Sequence, residues 1–310
     1  MSGLPLEVVQ IAVEMLTSIT ASRYCIASAY SVVVYDWLTS LDQEIAYISK
    51  ARWSPVKGAY IFCRYWTLIV VPFLVWGCIF DHNMETCQKY VHALYASLPP
   101  ITISAQFILM MRAYAFCGRR RSVFVVLSTG LLFLTAVYIW VMAREMQLVE
   151  VFFFFFSRTG CFAESDQSTQ YSYVGSWHLA LMLIASVVFD FLNIFFIARH
   201  YIKERGTIGP LAQTFINQGL VVYLVMTIMN VFTMGTFFSS NTKVSGAGSW
   251  HALYLPSPLA CRLVLMLRKK AMPTDTELLV QYSQMVDEAL EMIPVEHGAH
   301  PNHGVDGDAA

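Results

Sequence analysis

Asp190 is the residue with the most chemical potential in this sequence. It sits near the middle of the apolar run 176–200, and Asn193 follows one helical turn later. No Lys or Arg falls at that depth in any other apolar run. A lone carboxylate in hydrocarbon is expensive. It is therefore either protonated or faces a hydrated cavity. Gln106, Asn217, Tyr223 and Asn230, in other apolar runs, are polar side chains available as neighbours. Two readings stand side by side. In one, Asp190, Asn193, Gln106, Tyr223 and Asn230 bind a ligand, ion or proton. In the other, a buried protonated Asp190 bonds a facing helix and is structural.

A second pair of charges lies in the first two apolar runs. Asp36 falls about five residues from the end of the first run, and Arg64 about eight from the start of the second. At ~1.5 Å per residue both lie ~8–12 Å from the same boundary. Equal depth on antiparallel neighbours predicts an Asp36–Arg64 ion pair. It serves as a clamp between the runs or as a switch that breaks on activation. Arg112 and Arg262, near run ends, read as side chains that extend to the headgroups; a basic docking cleft is the other reading.

The cysteines offer redox chemistry. Cys87 precedes the third run, and Cys161 lies in the long segment between the fourth and fifth. Both fall on one side of the chain's threading, in an oxidising compartment on the secretory route. A Cys87–Cys161 disulfide is expected, with Cys78–Cys161 as the runner-up. Gly175-Ser176-Trp177-His178 recurs as Gly248-Ser249-Trp250-His251. Ser at a helix start and Trp in an interfacial belt explain the repeat structurally; two histidines alone make a poor metal site.

Other chemistries are missing. There is no His-Glu-x-x-His, Cys-x-x-Cys, Gly-x-Ser-x-Gly or phosphate-cradling glycine loop. Apart from Lys57 at the edge of the second run, no apolar run holds a lysine, so no amine lies at depth for a retinal Schiff base. No catalytic residue, metal or cofactor is expected, and nothing points to nucleic acid.

The elements that position these residues follow from composition. Of 310 residues, 56% are hydrophobic and only 13% charged, with a net charge of -1. A soluble chain carries roughly a quarter charged residues. The chain therefore reads as an all-α, polytopic integral membrane protein. Runs of ~20 apolar residues suffice to cross the bilayer, and seven are present: 22–41, 56–80, 90–113, 122–143, 176–200, 213–238 and 249–267. The expectation is a seven-helix bundle.

Orientation follows from where cations fall. With the N-terminus outside, the inner side holds Lys50, Arg52, Lys57, Arg112, Arg119, Arg120, Arg121, Arg199, Lys203, Arg205, Arg268, Lys269 and Lys270. The outer side holds only Lys89, Arg144, Arg158 and Lys243. The N-terminus is expected outside and the C-terminus inside; six spans, with the first demoted, is the rival. Pro72, Pro99, Pro100, Pro256 and Pro258 are expected to bend the second, third and seventh spans.

Three segments follow. Residues 1–21 form an outer segment with no positive leader region, continuing helically into the first span. Residues 22–268 form the membrane domain. Residues 269–310 form an acidic inner tail. There, Leu278, Leu279, Tyr282, Met285, Val286, Leu290 and Ile293 follow a capping box at Thr274–Glu277, and disorder is expected from Glu296 onward. The five phenylalanines at 152–156 cannot sit in water. They lie in the interface or fold onto the bundle mouth.

Tyr35-Asp36-Trp37-Leu38, Leu41-Asp42-Gln43-Glu44-Ile45, Trp53 and Arg64-Tyr65 resemble the N-terminal segment of seven-span proteins from mushroom-forming (basidiomycete) fungi. That segment, about 24–72 here, is known only as a domain of unknown function. Cys87, Arg112-Ala113-Tyr114-Ala115, Gly118-Arg119, Cys161 and Cys261-Arg262-Leu263 are similar to the family's later landmarks. Where the family often has Arg-Asp-Gly, this chain has Asn217-Gln218-Gly219. The resemblance implies seven spans and a fungal origin, and no reaction.

Two functions fit. The first is a receptor-like sensor in the plasma membrane or another secretory-pathway membrane. It would take a small molecule or lipid from the outer side and address a cytosolic signalling partner through the inner loops and tail. The second is a transporter or channel using the polar groups around Asp190. An intramembrane enzyme comes third.

Overall fold

A computed structural model describes residues 6–49, 53–150, 153, 156–164, 177–204, 210–237, 254–271 and 283. The chain divides into two compact units, Met1–Arg268 and Lys269–Ala310. The first unit carries all that follows. The expected helix over 278–293 and the second Trp-His motif lie outside the described residues, as do Gly175, Ser176 and Asn217's side chain.

Eight helices are described. They are α1 (Leu6–Glu44), α2 (Pro55–Ile79), α3 (Met84–Ala96), α4 (Pro99–Phe116), α5 (Arg121–Trp140), α6 (Trp177–Glu204), α7 (Pro210–Phe237) and α8 (Pro256–Ala271). π-helical turns follow α1 at Ile45–Ser49 and α5 at Val141–Glu145. Four segments are long and apolar enough to cross a membrane: Pro55–Ile79, Met84–Phe116, Arg121–Ala143 and His178–Lys203. Leu220–Gly235 is a shorter apolar stretch. Their outward faces carry exposed Leu132, Phe133, Ile139, Val188, Phe191, Phe195, Ile228 and Phe232. Such bands need lipid rather than water. The chain is a largely helical membrane protein.

Local chemistry sets the helix ends. Ser54 caps α2 by accepting from Lys57 N at 3.2 Å, with Pro55 at the first position. Its fixed φ and missing N–H suit that place. Pro99 and Pro256 likewise begin α4 and α8. The third run stays one spanning segment, Met84–Phe116, interrupted just before Pro99 where a bend is expected; in the seventh run the residues before Tyr254 lie outside the described residues. The third run is two helices broken at Ser97-Leu98. Trp66 Nε1 donates to Ser97 O at 3.1 Å, satisfying a carbonyl the break frees. Pro72 lies deep inside α2, where its ring removes the bond to Leu68 O. The first run differs too: α1 is one 39-residue helix reaching Glu44, past the expected end at 41.

Helix α2 packs on α1 and α4, α5 on α4 and α6, and α6 on α7. Tyr60, Cys63, Ala105, Ile108, Ala260, Cys261 and Val264 form a core joining α2, α4 and α8.

The Ile79 end of α2 is covered by the long segment after α5. Cys87 and Cys161 are disulfide-bonded, with Cα atoms 5.0 Å apart. Cys78, the alternative partner, is a buried free thiol. A two-residue ribbon pairs Gln147 with Glu164 and Leu148 with Ala163. His82 pairs with Thr159, and Cys161 N donates to Gly77 O at 2.8 Å. Gly160 is required here, because a Cβ would lie 2.1 Å from the Cys78 carbonyl. Phe153 and Phe156 pack on the core, so part of the phenylalanine run folds onto the bundle.

Candidate functional site

Two buried polar clusters are built into the helices. The first joins α1, α2 and α8. Asp36, Ser40 and Glu44 are spaced by four on α1, so they share one face. All three are buried. Arg64 of α2, only 4% exposed, lies opposite that stripe. Its Nε pairs with Glu44 Oε2 at 2.8 Å. Its Nη2 donates to Ser40 Oγ at 2.7 Å and to Trp37 O at 3.0 Å. Asp36 pairs instead with Arg262 of α8, whose Nη2 also donates to Thr39 Oγ1 at 3.3 Å.

The expected Asp36–Arg64 pair is therefore replaced by two pairs, Asp36–Arg262 and Glu44–Arg64. The reason is the length of α1. Ending the first run at 41 left Glu44 in the loop, whereas the helix carries it within reach of Arg64. Arg262 does not run out to headgroups; it crosses to Asp36. The signal that finds both is the polar stripe 36, 40, 44. Four charges, two of each sign, are balanced.

Asp36, Trp37, Arg64, Thr67, Ser257 and Cys261 line a narrow cavity among these helices. Val33, Leu68 and Pro258 complete its mainly apolar lining, and it has room for about one water molecule. Small side chains close the α2–α8 contact. Thr67 Oγ1 and Ser257 Oγ lie 3.0 Å apart, Ser257 Oγ donates to Cys63 O at 3.2 Å, and Cys63 Sγ to Ser257 Oγ at 3.3 Å. Nearby, Arg112 Nη2 reaches Leu263 O at 3.4 Å. Arg23, expected within the first span, pairs with Asp81 at the other end of α2.

The second cluster lies among α4, α6 and α7. Asp190 is 1% exposed and Asn193 fully buried. Gln106 Nε2 donates to Asp190 Oδ1 at 3.0 Å, and Asn230 Nδ2 to Asp190 Oδ2 at 2.6 Å. Asn193 folds back along α6, its Nδ2 donating to Phe189 O at 2.9 Å. Tyr138 OH and Ser186 Oγ, one turn before Asp190, lie 2.8 Å apart. Gln106 and Asn230 thus meet at Asp190, while Asn193 lies one turn on along α6 and bonds its own helix. Tyr223 is buried, but its hydroxyl donates to Leu109 O. Among the described residues no Lys, Arg or His pairs with Asp190.

His178 stacks edge-on against Trp140, ring centroids 4.9 Å apart. No group of three His, Cys, Asp or Glu able to hold a metal exists among the described residues.

Neither a curated protein nor a solved structure matches the chain. The segment holding Asp36, Glu44 and Arg64 has a match of its own: residues 24–69 fit the model of a family of unknown function, DUF6533.

Proposed function

We propose that the chain is a receptor-like sensor: a seven-span membrane protein akin to those of mushroom-forming fungi, N-terminus outside and C-terminus inside. In this reading a small molecule or lipid binds from the side covered by the Cys87–Cys161 staple. A cytosolic partner reads the basic inner loops and the tail. The distribution of Lys and Arg supports the orientation.

One observation carries the sensing role. The Asp36 carboxylate is buried, yet its partner Arg262 has a side chain 45% exposed. Arg262 can leave for water or headgroups at small cost. Arg64 faces the same cavity as Asp36 and stands ready to take its place. The contact between α1 and α8 is thus a joint whose exposed member can leave, with Arg64 shared between Asp36 and Glu44 while it is open. The alternative of transport through Asp190 has less behind it, because that carboxylate is enclosed and held by two amides.

The test is a spin-label distance between α1 and α8 in purified protein. Arg262→Gln should shift its distribution to a longer, defined state while the protein stays folded. An unchanged distribution would sink the switch. Native mass spectrometry of the purified protein should retain a small molecule or lipid, released by the same substitution. Epitopes at the two ends reached from one side of the membrane would remove the proposed topology.

A further inference from the structure

The four charges around Arg64 balance, but the Asp190 cluster does not. Asp190 brings one negative charge into a helix long and apolar enough to span the membrane, with only neutral amides for company. The same cluster has a surplus of acceptors. Gln106 Oε1 and Asn193 Oδ1 are buried and have no hydrogen-bond partner among the described residues. The first is on the amide that bonds Asp190; the second is on the next turn of α6, three residues on, its amide nitrogen held by Phe189 O. A buried acceptor without a partner is costly, and a buried uncompensated charge more so. A single species removes both deficits if it is positive and accepts several oxygens at once.

We propose that Asp190, Gln106 and Asn193 bind a small monovalent metal cation, sodium, between α4 and α6. One carboxylate matches one positive charge; calcium takes more carboxylate oxygens. The donors are all oxygen, hard ligands that disfavour transition metals. The dense surroundings, with Asp190 and Asn193 at 1% and 0% exposure, favour the smaller alkali ion. A proton on Asp190 cancels the charge but satisfies at most one of the two spare oxygens. Asn230, bonded to the second carboxylate oxygen, holds Asp190 in position from α7. This site is separate from the sensing joint and does not depend on it.

Thermal melting of the purified full chain in detergent tests the site. Sodium chloride is compared with potassium and choline chloride at equal ionic strength. Sodium should raise the melting temperature saturably by roughly 3–5 °C, potassium less, choline not at all. Asp190→Asn should abolish the sodium response, and Asn193→Ala should weaken it. The second variant keeps the test alive if the first does not fold. Equal effects of all three salts, or an unaltered sodium response in both variants, would overturn the proposal. So would stabilisation by acid with no sodium response, which makes Asp190 a proton site.

Discussion

The two clusters bury carboxylates to a similar degree but answer them differently. Around Asp36 and Glu44, two arginines restore neutrality across α1, α2 and α8. Around Asp190, amides donate to the charge and leave it in place. A charge pair buried on both sides, as Glu44–Arg64 is, fixes helices to one another, because removing either member strands the other. An amide-held charge is open to neutralisation from outside. The first arrangement suits a joint, the second a site.

The comparison breaks most easily at Arg64. It is enclosed, and its loss strands Glu44. Arg64→Met should destabilise the protein by about 3–5 kcal/mol, visible as lost monodisperse protein or a sharply lower melting temperature. Adding Glu44→Gln should recover most of that loss, since no charge is then stranded. If Arg64→Met alone melts like wild type, the pair does not hold α1 to α2.

The staple supplies a reference independent of both clusters. Cys87 and Cys161 close a loop across 74 residues. Cys161→Ser should cost about 2–4 kcal/mol. Roughly 20 Å of α2 separates this end from Arg64, so the loss should add to that of Arg262→Gln within a few tenths of a kcal/mol. Strong non-additivity in a double-mutant melting series would mean that the two ends of α2 are one coupled unit.

How much of this was legible in the sequence depends on what each feature needs. The apolar runs need only hydropathy, and the four segments that meet the spanning measure lie within or around four of the seven expected. The Asp190 cluster needs only depth, because a lone polar group in hydrocarbon seeks whatever polar group lies level with it; Gln106 and Asn230 were level. The ion pairs need helix ends and helix rotation as well. An error of three residues at the end of α1 hid Glu44, and nothing in the spacing of Arg262 said which face of α8 meets α1. Pro99 marked where the third run is interrupted, but that Trp66 would take up the freed Ser97 carbonyl needs the facing helix. Cys161 could be matched to Cys87 by side alone, but Gly160's close approach to the Cys78 carbonyl appears only in three dimensions.

The finest test sets one carboxylate against the other with the same change. Asp36→Asn removes the partner of Arg262, which then turns to water, as its exposure allows. The expected loss is about 1 kcal/mol. Asp190→Asn in sodium-free buffer should do less. The new amide accepts from Asn230 as before, and Gln106 can rotate its side-chain amide so that its spare oxygen accepts from the new donor. The flip exchanges an unpaired Gln106 oxygen for an unpaired nitrogen, so the count of unpaired atoms is unchanged while a buried charge is gone, and the change should stay within about 0.5 kcal/mol of zero or favour the folded state. Melting temperatures of the two variants decide it. If Asp190→Asn proves the more damaging, the charge on Asp190 is already compensated within the bundle, and the contrast between joint and site collapses.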